Sequence, residues 1–173
     1  MTSLRHDFVF RLLLLVLLAW VVPGCQPQSE ELTHAKRLLR ISQGLTKSGE
    51  RTGVVTQPWF QGQKIDLAEL DQALAKGKQD ILQVRKEFEL VSVPDTPKSR
   101  HFSKLVGEYI DWQIDVALPA FQEVADLIKQ ENPASPATRQ HVMELLITMN
   151  DNERARKREI NAQARAMGAS IQH

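Results

Sequence analysis

The chain has 173 residues, 22 of them basic and 21 acidic, a formal net charge of +1 and one cysteine. That length suits a single domain, and one cysteine excludes an intramolecular disulfide framework, multi-cysteine zinc or iron–sulfur sites and a C-x-x-C-H haem attachment. The near-neutral balance argues against nucleic acid as a partner.

The first element is a targeting segment over residues 1–24. Arg5 and Arg11 make its start basic, and Leu12 to Val22 form an unbroken apolar run. A bilayer-spanning helix needs roughly 20 apolar residues. This shorter run fits the apolar core of a signal peptide. Val22-Pro23-Gly24-Cys25 follows it. The arrangement resembles a bacterial lipoprotein signal, in which a short box of aliphatic and small residues ends in cysteine. Pro23 stands where Ala or Ser is usual. The resemblance implies cleavage before Cys25, a diacylglyceryl group on its sulfur, and acylation, typically with palmitate, of the new amino terminus. It therefore implies an exported protein held at the membrane of the cell envelope by its lipid. Gln26, where Asp would imply inner-membrane retention, favours the outer membrane facing the periplasm in a Gram-negative source. The plainer alternative is an ordinary or uncleaved signal segment with a free thiol.

Residues 25–173 form the second unit, a helical domain. Ser29 caps a first helix, with Glu30 and Glu31 at its positive end. Leu32, Ala35, Leu38, Leu39 and Leu45 follow helical spacing, and Gly49 is a plausible stop. A connection over about residues 49–65 is expected, because Thr52, Val54, Val55 and Thr56 are β-branched. Asp66 and Glu69 make a capping pair. From there Leu67, Leu70, Leu74, Gly77, Ile81, Val84, Phe88 and Val91 alternate spacings of three and four, a seam for packing along partner helices. This second helix should span about 27 residues, ~40 Å at 1.5 Å per residue.

Thr96 and Pro97 start a third helix, with Phe102, Leu105, Tyr109, Trp112 and Val116 on its apolar face. Pro119 should kink it. Pro133 closes it, and Ser135-Pro136 opens a fourth. That helix carries Val142, Leu145, Leu146, Met149, Ile160, Ala164, Met167 and Ile171 on one stripe. No strand-like alternation of useful length occurs. These patterns predict an all-α fold, an antiparallel up-down four-helix bundle following the cleaved signal peptide.

Catalytic signatures are absent: no G-x-S-x-G, no phosphate-cradling glycine loop, no H-E-x-x-H. The expectation is a non-enzymatic structural or interaction module with an envelope protein as partner and no cofactor or metal. A cofactor- or ligand-binding domain is the alternative. For metal, Glu31 and His34 give one E-x-x-H, and His141 and Glu144 give the reverse order, whereas bundle di-metal sites use two copies. For haem, His34 and Met167 fall at the same end of the domain, although Met167 also fits the core stripe.

Four further features are candidates. Trp59 and Phe60 suit a partner or membrane contact if exposed, and plug the end of the core if folded back. Tyr109 and Trp112, one turn apart, suit either core packing or a ligand pocket beside the Pro119 kink. Arg154, Arg156, Lys157 and Arg158 form a basic run that suits anionic head groups or a cell-wall polymer. It equally suits lateral salt bridges to an acidic third helix carrying Glu108, Asp111, Asp115, Glu123, Asp126 and Glu131. Finally, Glu153 and Arg156 fall where the fourth helix should be apolar, which hints at an unfilled groove.

Overall fold

The computed structural model describes residues 29–132 and 134–170, and among them the side chains of all but 46–48 and 50. Residues 1–24, Cys25, Gln26, Pro133 and Ile171, on which expectations fell, lie outside the described residues. The described chain forms five α-helices: α1 (Glu30–Phe60), α2 (Leu67–Glu89), α3 (Pro97–Trp112), α4 (Leu118–Gln130) and α5 (Pro136–Ala166). A π-helical turn, Gln113–Ala117, joins α3 to α4.

The all-α class holds, but the four-helix bundle does not. The expected third helix is two helices. Pro119 has no N–H to return to the Asp115 carbonyl, and the chain passes it by widening one turn, so that Leu118 N–H bonds to Gln113 O. That turn shifts the register by one residue. Ala117 points inward, and Val116, expected on the apolar face, is 48% exposed. A second correction concerns the membrane: among the described residues no helix is long and apolar enough to cross one.

The helix starts follow the sequence closely. Ser29 Oγ accepts from Leu32 N–H at 3.2 Å, Asp66 Oδ1 from Ala68 and Glu69 N–H at 2.8 and 3.3 Å, and Thr96 Oγ1 from Ser99 N–H at 3.2 Å. Ser135 Oγ accepts from Thr138 N–H at 3.2 Å. Such caps are worth ~1 kcal/mol each. Pro97 and Pro136 occupy first turns, where a missing N–H costs nothing.

The first helix end departs from expectation. Instead of stopping at Gly49, α1 runs through the whole β-branched segment to Phe60. Burial explains it. Thr52 and Thr56 are buried, and Thr56 Oγ1 returns its proton to the carbonyls of Thr52 (3.0 Å) and Gly53 (3.2 Å). Trp59 is wholly buried. Burying one large side chain outweighs several helix-propensity penalties of a few tenths of a kcal/mol. The connection shrinks to residues 61–66, pinned by Asn132, whose side chain bonds both the N–H and the carbonyl of Ile65 at 3.1 and 3.0 Å. The second helix is shorter than expected, at 23 residues, and ends before Val91; of its seam Leu70, Gly77, Ile81 and Val84 are buried, Leu67, Leu74 and Phe88 are half-buried, and Ala73 is buried beside them.

Helices α1 and α2 form a hairpin. The α3–π–α4 run lies antiparallel to α2, and α5 returns so that Gly168 sits against Leu32 at the start of α1. The core falls into two clusters. The larger gathers Ala35, Leu38, Ile81, Phe102, Val106, Tyr109, Trp112, Ala117, Ile160 and Met167. The smaller surrounds Trp59 with Leu70, Val124, Ile128 and Val142.

Candidate functional site

The two clusters part at a groove of about 350 Å³. Ala117, Phe121 and Met149 line it from the larger cluster, and Val124 and Leu146 from the smaller. Three irregularities create it. In α1, Gly49 and Gly53 present no side chain; a Cβ at Gly53 would meet nothing within 4 Å. In the π turn, the widened backbone turns Gln113 inward, so that it is buried. In α5, no apolar side chain occurs between Met149 and Ile160 except Ala155. Asn150, Glu153 and Lys157 face the groove instead.

The polar groups form one network. Tyr109 OH donates to Glu153 Oε1 at 2.7 Å and accepts from Gln113 Nε2 at 3.1 Å. Lys157 Nζ lies 2.7 Å from the same Oε1. Burial pushes the Tyr109 phenol far above its usual range, and the Glu153 charge adds to the shift. The phenol therefore remains a donor. Both bonds reach Oε1, and Glu153 Oε2 has no partner among the described residues.

Tyr109 and Trp112 do come together, with rings 6.3 Å apart and 16° from parallel. Tyr109 lies beneath the polar network, while Trp112 lines the groove. Arg156 stands over the Trp112 ring at 5.4 Å. The expected ladder of salt bridges between the acidic third segment and the basic run is not found among the described residues. Asp111 pairs with Arg85 of α2, Lys129 with Asp71, and Lys157 with Glu153 of its own helix. Arg154 and Arg158 are exposed.

Trp59 is not a surface residue. Its indole N–H donates to the Glu131 carbonyl at 2.9 Å, and Phe60 packs edge-on at 5.2 Å, so the pair closes one end of the core. At the other end His34 and Met167 are both buried. His34 Nε2 lies 2.9 Å from Ser103 Oγ, Nδ1 has no hydrogen-bond partner among the described residues, and burial holds its pKa below the usual value. Among the described residues no group of three or more His, Cys, Asp and Glu is placed to hold a metal ion.

Two grooves more open to solvent lie elsewhere. One, of about 500 Å³, runs between α2 and α4 beside Leu82 and Leu118. The other, of about 460 Å³, lies between the start of α1 and residues 91–94. Sequence reasoning missed Gln113, Thr52 and the two groove glycines. The available signals were the carbonyl that Pro119 leaves unpaired and a Gly-x-x-x-Gly spacing in α1. No family model, curated protein or solved structure matches the chain.

Proposed function

We propose that the chain is a lipid-anchored, non-enzymatic binding protein of the bacterial cell envelope whose central groove takes a small amphiphilic ligand. The anchor rests on the lipobox-like Val22-Pro23-Gly24-Cys25. The binding role rests on one observation: a groove at the break in the core that joins apolar walls to an organised polar network. Binding sites are typically apolar clefts of ~300–1,000 Å³ with a few fixed polar groups. Ala117, Phe121, Val124, Leu146 and Met149 suit an apolar body. Glu153 Oε2 suits a head group that donates a hydrogen bond or carries an ammonium.

The test uses the apolar dye 1-N-phenylnaphthylamine and an alkylamine competitor. The dye should gain fluorescence on the protein, and the alkylamine should displace it. Gly53→Phe should plug the groove and weaken binding about tenfold or more, without loss of thermal stability. Equal binding to wild type and the plugged variant refutes the groove. For the anchor, Cys25→Ser should abolish acyl labelling, and unchanged processing and fractionation refute it.

A further inference from the structure

The chain between the anchor and the fold is short. Five Cα–Cα steps separate Cys25 from Glu30, the first residue of α1, and an extended chain spans at most roughly 3.6 Å per residue. Acyl groups on Cys25 therefore hold the start of α1 within about 18 Å of the bilayer surface. Helix α1 itself is about 46 Å long at 1.5 Å per residue.

The end of the domain that carries the start of α1 also carries the α2–α3 connection. Glu30, Thr33, His34 and Arg37 face Val91, Ser92, Val93 and Pro94 across one open groove. Val91 packs inward on the larger core cluster. Its neighbours do the opposite: Leu90 is 76% exposed, more than any other large apolar side chain described, and Val93 is 46% exposed. The connection carries local bonds of its own. Val91 N–H bonds to Phe88 O at 3.0 Å, Thr96 N–H to Pro94 O at 2.8 Å, and Asp95 pairs with Arg100. Two apolar side chains thus stand out from the loop at the end nearest the anchor.

We infer that Leu90 and Val93 insert into the lipid surface to which Cys25 is attached, so that the loop and the acyl chains fix the orientation of the domain together. This rests on the proposed lipid anchor. Amphipathic and apolar side chains gain by leaving water at the headgroup–acyl boundary. Arg37, beside the loop and without an ion pair among the described residues, is placed to meet lipid phosphates. The contact also keeps the central groove, on the sides of the helices, clear of the bilayer.

The test uses the full acylated protein in vesicles of phosphatidylethanolamine and phosphatidylglycerol. Cys25 is the only native cysteine, and acylation consumes its thiol. Leu90→Cys, Val93→Cys and Ile147→Cys can therefore each carry a single environment-sensitive nitrobenzoxadiazole label. Labels at 90 and 93 should emit further to the blue and resist iodide quenching several-fold better than the label at 147. Mass spectrometry of the amino-terminal peptide reports the anchor separately. An unacylated Cys25 overturns the anchor and this inference with it. Acylated protein in which positions 90 and 93 are quenched as readily as 147 overturns the inference alone. Shielding that occurs in native envelopes but not in lipid vesicles places a protein on the loop, and overturns it too.

Discussion

Tyr109→Phe tests the polar network at the base of the groove. The substitution keeps the ring, which is buried and stacked on Trp112, and removes only the hydroxyl. Two interactions go: the donation to the Glu153 carboxylate at 2.7 Å and the acceptance from Gln113 at 3.1 Å. A hydrogen bond to a charged group is worth roughly 1.5–3 kcal/mol, and a buried amide left without its partner costs about 1–3 kcal/mol. Gln113 borders the groove, so water can reach it and the second figure belongs at its low end. The sum is about 3 kcal/mol, or a fall in Tm of roughly 6–12 °C for a domain of this size. Glu153→Gln keeps an acceptor but loses the charge and the Lys157 pair, and should cost about 1 kcal/mol. Because the two side chains touch, the double variant should cost about 1 kcal/mol less than the sum. Urea unfolding followed by circular dichroism reads all four corners of the cycle. Strict additivity, or a cost below about 0.5 kcal/mol for Tyr109→Phe, refutes the network. The pH dependence gives a second check. The folded-state phenol pKa lies above the unfolded value of 10.0. The folded state thus holds the proton longer, and stability is complete below pH 10 and declines above it. Tyr109→Phe should remove that share of the alkaline decline.

The glycines give opposite signs. Gly53→Ala should stabilise by about 0.5–1 kcal/mol, since its Cβ enters open space on a helix. Gly62→Ala should destabilise by at least ~1 kcal/mol, because its φ is +78° and its Cβ would lie 2.7 Å from Arg139 Nη1; thermal unfolding separates the two. His34 has a folded-state pKa below its unfolded 6.5, so its share of stability is complete above pH 6.5 and is lost as pH falls below it. Between pH 6.5 and 5 the slope from this one proton is at most about 1.4 kcal/mol per pH unit. His34→Gln should flatten it in denaturant titrations. Asp66→Ala removes a cap on two N–H groups of α2 and should cost about 1–2 kcal/mol by chemical denaturation.

The helix starts were legible because a cap is local: Ser29, Asp66, Thr96 and Ser135 each satisfy N–H groups two or three residues on. The α2 seam was legible because periodicity survives unless the backbone breaks it. What failed needed distant atoms. The run of α1 past Gly49 depends on a pocket for Trp59 built by α2, α4 and α5, some of it more than sixty residues away. The split at Pro119 depends on how the backbone absorbs a missing N–H. A kink and a π turn satisfy the same sequence, but only the π turn moves Val116 out and Ala117 in. The ion pairs failed for another reason. Charge totals say which helices attract, whereas the helix rotation that follows from packing says which side chains meet. Packing turned Asp111 toward Arg85.

Each feature around the groove has a modest explanation when taken alone. Glycines interrupt many helices, proline distorts many more, and a polar stretch on a surface helix is ordinary. Their convergence is not explained that way. Gly49 and Gly53 come from α1, Gln113 and Ala117 from the π turn, and Asn150, Glu153 and Lys157 from α5. Three separate segments thus depart from their local rule at positions that share one space. A sequence selected for packing alone would fill that space, since each missing methylene costs about 1 kcal/mol or more. Local inconsistencies are expected where function sets the residue, and π turns recur at such places. The buried tyrosine strengthens the point. A phenol that only filled the core could be a phenylalanine. This one holds a carboxylate by one oxygen, and among the described residues the other oxygen has no partner, at the edge of an apolar groove.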